Sequence, residues 1–405
     1  MELRKGYKQT EVGMIPDDWE VKELNEISKI TRLAGYEYSS VWKEDERGEI
    51  IALRGFNIGQ NKIIERDFVN ITNQLSLKLN RSRLYKGDVI YPCVGTIGNA
   101  VEIKENDKYH IQQNIAKITP HEVQIGSAFL AYYLMSSFGL KEINKFNGSS
   151  SQPNILVSSL RKYSIILPTL EEQTAIATVL SDADALISSL EKLIETKRAI
   201  KQGAMQELLK PKERWVVKKL GEIAEVVGGG TPSSFNISYW NGDINWFTPT
   251  EVGSRKYLGE SVRKITKDGY SNSSARMLPA GTLLLTSRAG IGDLGILTNP
   301  ACTNQGFQSL IAKENIDYEF LYYLVSTLKK EMLQNASGST FLEISPGKLK
   351  QIEVCVPDKK TQKEISEILS HMDTEITSLE QNLSKYNMLK QGMMQELLTG
   401  KTRIV

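Results

Sequence analysis

Apolar positions along this chain follow two different patterns. Ile365, Met372, Leu379, Tyr386 and Met393 recur every seven residues, and Leu369, Ile376, Leu383 and Leu397 follow four residues behind. An a/d alternation kept over that many heptads predicts a long helix with one apolar seam. The same register occurs 189 residues earlier, at Ile176, Ala183, Leu190, Lys197 and Ala204 with Leu180, Ile187, Ile194 and Leu208. Lys197 and Lys201 read there as polar breaks. Elsewhere, strand-like runs such as Glu49-Ile50-Ile51-Ala52-Leu53, Asp88-Val89-Ile90-Tyr91 and Leu283-Leu284-Leu285-Thr286 alternate with glycine-rich turns. Pro168 and Pro357 end each mixed stretch just before its helix. The predicted organisation is α+β, with two similar mixed α/β lobes over 1–168 and 211–357. A helix over 169–210 joins them, and 358–405 carries the second helix.

The chain also repeats itself. WEVKELNEI from Trp19 returns as WVVKKLGEI from Trp215, and Ile97-Gly98-Asn99 as Ile291-Gly292-Asp293. Tyr132-Tyr133-Leu134 returns as Tyr322-Tyr323-Leu324, and KQGAMQELL from Lys201 as KQGMMQELL from Lys390. The order is kept while the offset shrinks from 196 to 189 residues. That period is far beyond the roughly 20–50 residues of a solenoid repeat and indicates a duplicated domain. Two apolar seams in one chain most simply pack on each other, as an antiparallel coiled coil with pseudo-two-fold symmetry. The alternative is that each helix packs on its own lobe. A paired helix of this length makes a spacer of about 60 Å, against about 34 Å per turn of DNA.

Composition mainly excludes. With 40% hydrophobic and 24% charged residues the chain is globular. Cys93, Cys302 and Cys355, and His110, His121 and His371, are scattered, without metal-ligand spacing or a disulfide framework. No metal site is expected, and a reducing, cytoplasmic compartment fits best. No window approaches 18 uninterrupted apolar residues, so no membrane partner is expected. No catalytic constellation stands out. Val226-Val227-Gly228-Gly229-Gly230-Thr231 runs into Pro232-Ser233-Ser234, a turn where a phosphate-cradling loop needs a helix N-terminus. Asn299-Pro300-Ala301-Cys302 lacks the second proline and the aromatic of the loop with which amino-methyltransferases hold a flipped base.

Several polar loops suit the reading of base edges. Gln112-Gln113-Asn114 and Asn304-Gln305-Gly306 take similar places in the two copies, and Asn and Gln amides match the edge of adenine. Ser149, Ser150 and Gln152 in one copy, and Ser337, Ser339 and Thr340 in the other, lie in small polar loops before the last strand of each lobe. Arg54 and Asn57 flank Gly55-Phe56, Arg288 precedes Ala289-Gly290, and Thr96, Thr231 and Ser233 add hydroxyls beside glycine or proline. These residues are candidate DNA contacts. Ile176, Leu180, Ile187, Leu190, Ile194, Ile365, Leu369, Met372, Ile376, Leu379 and Leu383 are the candidate helix seam.

Over essentially its full length the chain resembles the specificity subunits of type I restriction-modification systems. The likeness rests on the lobe–helix repeat, on the two Trp-led segments, and on Gly229-Gly230-Thr231-Pro232-Ser233 with Tyr239-Trp240, Thr303-Asn304-Gln305-Gly306 and Gly338-Ser339-Thr340. It also rests on Glu172-Gln173-Thr174-Ala175-Ile176 at the head of the first helix, which becomes Thr361-Gln362-Lys363-Glu364-Ile365 in the second. Lobe one lacks the Gly-Gly-Thr-Pro loop, so the lobes are expected to read different half-sites. The resemblance implies a non-catalytic subunit in which each lobe, a target-recognition domain, reads half of a bipartite double-stranded DNA sequence. The helices would set the spacer and dock two methyltransferase (modification) subunits, with ATP-dependent restriction subunits completing the complex. The chain itself would hold no cofactor, because S-adenosylmethionine and ATP would sit on the partners.

Two other classes stay open on the residues alone: a stand-alone DNA methyltransferase or nuclease, and a coiled-coil protein adaptor. Charge bears on the choice. The chain carries 50 basic and 48 acidic residues, net +2. Each lobe is +2, the first helix −2 and the last segment neutral. That excess is too small for tight unaided DNA binding through counterion release. It suits a subunit whose partners supply much of the phosphate grip.

Overall fold

The computed structural model describes residues 5–147, 154–288, 290–338 and 342–404. The chain forms two compact units, 1–191 with 381–405, and 192–380. The division falls inside both long helices, Leu170–Leu208 and Lys359–Leu397, so each unit contains one lobe and half of each helix.

In unit one a four-stranded antiparallel sheet runs in the order Ser28–Arg32, Ile115–Pro120, Val89–Pro92, Val101–Glu102. Val89–Pro92 is buried throughout because the sheet is covered on both faces. Val89 and Tyr91 enter one core and Ile90 a second, as the period-two geometry of a strand demands. A smaller sheet places Ile50–Leu53 between Val69–Ile71, antiparallel, and Tyr109–Ile111, parallel. Unit two repeats the plan with the order Ala224–Gly228, Gln308–Ala312, Leu283–Leu285, Leu294–Leu297, and adds Tyr257–Leu258 as a fifth, edge strand parallel to the last. There Leu283 and Leu285 enter one core and Leu284 the other. Its smaller sheet sets Trp240–Phe247 between Arg263–Ile265, antiparallel, and Cys302–Thr303, parallel.

Helices Ser127–Met135 and Tyr318–Ser326 are also equivalent, with a one-residue difference from the pairing of the Tyr-Tyr-Leu texts. Structurally Tyr132 answers Tyr323, because these two hydroxyls reach the equivalent aspartates Asp184 and Asp373.

Each long helix is docked to its lobe by a buried glutamine. Gln173 donates to Gln124 O and Pro168 O, both at 3.0 Å, and accepts from Gly126 N at 2.9 Å. Gln362 does the same with Asn315 O, Pro357 O and Asp317 N. The first helix starts with a reciprocal Thr169–Glu172 capping box. The second starts at Asp358, which accepts from the N–H groups of Lys360 and Thr361.

Within each unit the helix halves run antiparallel. In unit one Ile176 and Leu180 share a core with Leu397 and Leu398, while Asp184 pairs with Lys390. In unit two Ile365 and Leu369 pack near Leu208 and Leu209, Lys197 pairs with Glu375 and Arg198 with Glu380. Ile176, Leu180, Ile187, Ile194, Ile365, Leu369 and Ile376 are buried, and Leu190, Met372, Leu379 and Leu383 are half-buried. Tyr386, on the same heptad position, is exposed. The two sequence readings of the seam are therefore both partly realised: its ends pack on a lobe and its remainder faces the other helix.

Lys201 corrects one expectation. It forms an ion pair with Asp373 and lies over the Tyr323 ring, at 5.6 Å, so it is a joint and not a break in the seam. Lys390 makes the equivalent joint with Asp184, at 2.5 Å, and with Tyr132. The Glu172-to-Thr361 difference also gains a reason. In unit two the chain leaves the first long helix at Leu208 and runs directly through 209–215 into the lobe strand Val216–Lys219. In unit one the helix half beside the lobe belongs to a distant part of the chain, and Arg403 fastens it to Glu172 (2.7 Å) and bidentately to Asp18.

Candidate nucleic-acid interface

The polar loops of lobe two are laced together by close backbone packing. A Cβ on Gly229 would lie 1.9 Å from Asn304 O, and one on Gly230 would lie 2.3 Å from Ser274. These glycines are required by the approach of two backbones. Gly230 N donates to Thr303 O, the Trp246 indole N–H donates to Gly230 O, and the Thr231 hydroxyl bonds Gln305 Oε1. Ser287 N donates to Gly306 O, Arg288 pairs with Glu343 at 2.9 Å, and Ser337 N reaches Glu343 O. One continuous network thus gathers Thr231, Ser233, Arg288, Asn304, Gln305 and Ser337. Thr231, Ser233, Gln305 and Ser337 are exposed within it.

Lobe one builds a comparable surface from other residues. The Thr96 hydroxyl donates to Gly55 O, Cys93 N to Asn114 O, and Gln112 N to Leu53 O. Asn114 is exposed with φ +64°, a left-handed conformation that Asn tolerates. Gln113 is half-buried, and Arg54 lies 4.5 Å over the Phe56 ring.

Two candidates are corrected here. Asn57 is fully buried, and its amide is spent on Ile64 O, Arg66 O and Arg54 N. Gln112 is 9% exposed and donates to Glu44. Neither presents an edge to solvent. Ser149, Ser150, Gln152, Ser339 and Thr340 lie outside the described residues.

Sequence reading missed two features. Arg32, Arg81 and Arg161 line an open recess of about 450 Å³ on lobe one, and a neighbouring recess shares Arg32 and contains Asn114. Arg32 and Arg81 lie 49 residues apart and Arg81 and Arg161 lie 80 apart, and no local pattern joins them. On lobe two Arg263 lies 3.9 Å over Trp240, which packs edge-on against Trp246. The even spacing of the two tryptophans along a strand was the available signal.

Chemistry at this surface is that of hydrogen bonding and charge. Burial pushes the Cys93 and Cys302 thiols up to about 11, the opposite of an activated nucleophile. Among the described residues no group of three or more His, Cys, Asp or Glu side chains is placed to hold a metal ion. No described helix is long and apolar enough to cross a membrane.

The pattern of the Type I restriction modification DNA specificity domain matches residues 16–201 and again 212–386. The chain belongs to the type I restriction-modification specificity family. Each copy of the family domain takes in one lobe and most of the helix that follows it. Among relatives, the Type I restriction enzyme MjaIX specificity subunit of Methanocaldococcus jannaschii is 41% identical over 46% of this chain and 43% of its own length. The putative MjaX specificity subunit of the same organism is 26% identical over 99% and 97%. The EcoR124I/EcoR124II specificity subunit of Escherichia coli is 30% identical over 55% and 57%. This chain therefore spans about half of the first and third relatives and nearly all of the second. The type I S subunit from M. genitalium shares the fold, with a TM-score of 0.60 at 16% identity over 98% of both chains. A chain from a type I R-M system complex gives 0.59 at 16% identity, over 96% of this chain and 99% of that one.

Proposed function

We propose that this specificity-family chain is the DNA-reading, non-catalytic subunit of a type I restriction-modification complex. The observation that carries this is the repeated lobe, each copy matching the family's DNA specificity domain and each ending in laced polar loops. Base edges are read by exposed loop groups such as Thr231, Gln305 and Asn114, while Arg32, Arg81 and Arg161 fix register on phosphates. Because the two loop sets differ, the half-sites differ. The helices set the spacer between half-sites. They also dock modification subunits through apolar side chains left exposed on each unit: Leu186, Met388 and Leu389 in one, Leu193, Ile200 and Ile368 in the other. S-adenosylmethionine and ATP chemistry belongs to the modification and restriction partners. A cytoplasmic location fits the three free thiols.

The test is methylome sequencing of a host carrying this chain with its partners. Replacing residues 211–357 with the corresponding lobe of another specificity subunit is expected to change one half-site and leave the other intact. A change in both halves, or in neither, would overturn the reading.

A further inference from the structure

Phe235 is 98% exposed and Ile237 81% exposed on the loop of lobe two that begins at Gly229-Gly230-Thr231-Pro232. An aromatic ring held fully in water is unfavourable, and a mobile loop could fold it away. This loop is held from several sides. Asn236 N donates to Ser233 O, closing a turn with Ser234 and Phe235 at its tip, and the Trp240 indole N–H donates to the same carbonyl at 3.1 Å. Asn236 Oδ1 caps the next turn through Ser238 N and the Ser238 hydroxyl. The Thr266 hydroxyl holds Ser238 O at 2.9 Å, and Thr266 N holds Tyr239 O. Gly269 has no room for a Cβ, which would lie 2.4 Å from Tyr239 O. The tip therefore projects two apolar side chains from a fixed frame.

Its surroundings indicate what covers it. No acidic residue occurs between Glu225 and Asp243, and the flanking side chains are Thr231, Ser233, Ser234, Asn236 and Ser238. Arg263 lies against Trp240 at the base of the loop. An apolar tip whose neighbours along the chain carry hydroxyls and amides and no carboxylate, with an arginine at the loop's base, suits a polyanion with apolar groups among its polar edges. The major groove of DNA offers such groups as the C5-methyls of thymine.

We propose that Phe235 and Ile237 are specificity-determining residues that pack on thymine methyl groups in the half-site read by lobe two. The proposal rests on the DNA-reading function above and adds a requirement: that half-site contains at least one A·T pair at the Phe235 contact.

The test uses the chain assembled with its modification subunits and duplexes in which each thymine of the lobe-two half-site is replaced, one at a time, by deoxyuridine. At one or two positions the wild-type complex is expected to lose roughly tenfold in affinity, the scale of one buried methyl group. Phe235→Ala is expected to lose a similar factor on the thymine duplex and to show no further loss on the uracil duplex. Phe235→Leu is expected to keep most of the discrimination. The ring touches no core, so unchanged thermal unfolding of both variants checks that the fold is intact. Equal thymine-methyl sensitivity in wild type and Phe235→Ala overturns the proposal. So does a Phe235→Ala variant that fails to assemble with modification subunits, since the tip would then be a protein contact. A wild-type complex with no sequence preference at all would instead overturn the DNA-reading function itself.

Discussion

At Gly229 the packing of two loops in lobe two depends on the absence of one carbon atom. The loop carrying Thr231 and the loop carrying Gln305 approach so closely that a methyl group at position 229 would overlap Asn304 O at 1.9 Å. Gly229→Ala must therefore push the two loops apart. It is expected to abolish recognition of the second half-site while leaving lobe one folded, read as loss of site-specific methylation with retained secondary structure. A second residue-scale case concerns pH. The Arg403 guanidinium, bonded to both carboxylate oxygens, holds Asp18 below its ordinary 3.8. Because the folded value is the lower one, the contribution is complete above pH 3.8 and is lost as pH falls through the folded value. Both groups are largely solvated, so the effect is small. Protection of residues 397–403, read as hydrogen exchange relative to the intrinsic rate, is expected to hold down to pH 3.8 and to fall below it, and Arg403→Ala should remove most of that dependence.

Helices in this chain are tied to their lobes by two kinds of contact that periodicity does not reveal. One is the buried glutamine at each helix head. The other is the Lys–Asp–Tyr joint, Lys390–Asp184–Tyr132 in unit one and Lys201–Asp373–Tyr323 in unit two. The joints differ in burial: Lys390 is 10% exposed and Lys201 22%. Removing one partner of a buried pair strands the other charge. Lys390→Met is accordingly expected to destabilise unit one by about 2–3 kcal/mol. Lys201→Met should cost unit two about 1 kcal/mol. Adding Asp184→Asn to Lys390→Met should restore part of the loss. Denaturant titration of the single and double variants measures the coupling. Unit two adds Lys256, bonded to Glu319 at 2.5 Å and to Ser370 at 2.9 Å, where unit one has Asn61. The equivalent joints thus carry different charges.

Across the whole molecule, the sequence repeat and the compact units do not coincide. The repeat runs lobe then helix, whereas each unit needs helix halves from two places in the chain. Residues 1–191 expressed alone would leave the face made by Ile176 and Leu180 without Leu397 and Leu398. That fragment is expected to unfold at a lower temperature than unit one in the full chain, and to gain stability when a peptide of residues 381–405 is added. Thermal unfolding with and without the peptide checks this, and no shift would mean that the second helix half contributes little.

Sequence by itself determined the duplication, the two long helices and the mixed lobes, because heptad spacing and repeated text are local and periodic. It also brought out the loops around Asn114, Thr231 and Gln305, whose residue types suit base edges. It could not tell an exposed amide from a spent one. Asn57 and Asn114 are both asparagines beside turn residues, yet the first is sealed in by Ile64 O and Arg66 O while the second faces solvent. Lys201 looked like a fault in the seam because its partner Asp373 lies far along the chain. The recess of Arg32, Arg81 and Arg161, and the exposed tip at Phe235, likewise exist only once distant segments pack. Local periodicity therefore decided which elements form, and long-range contacts decided which polar groups remain free to meet a ligand.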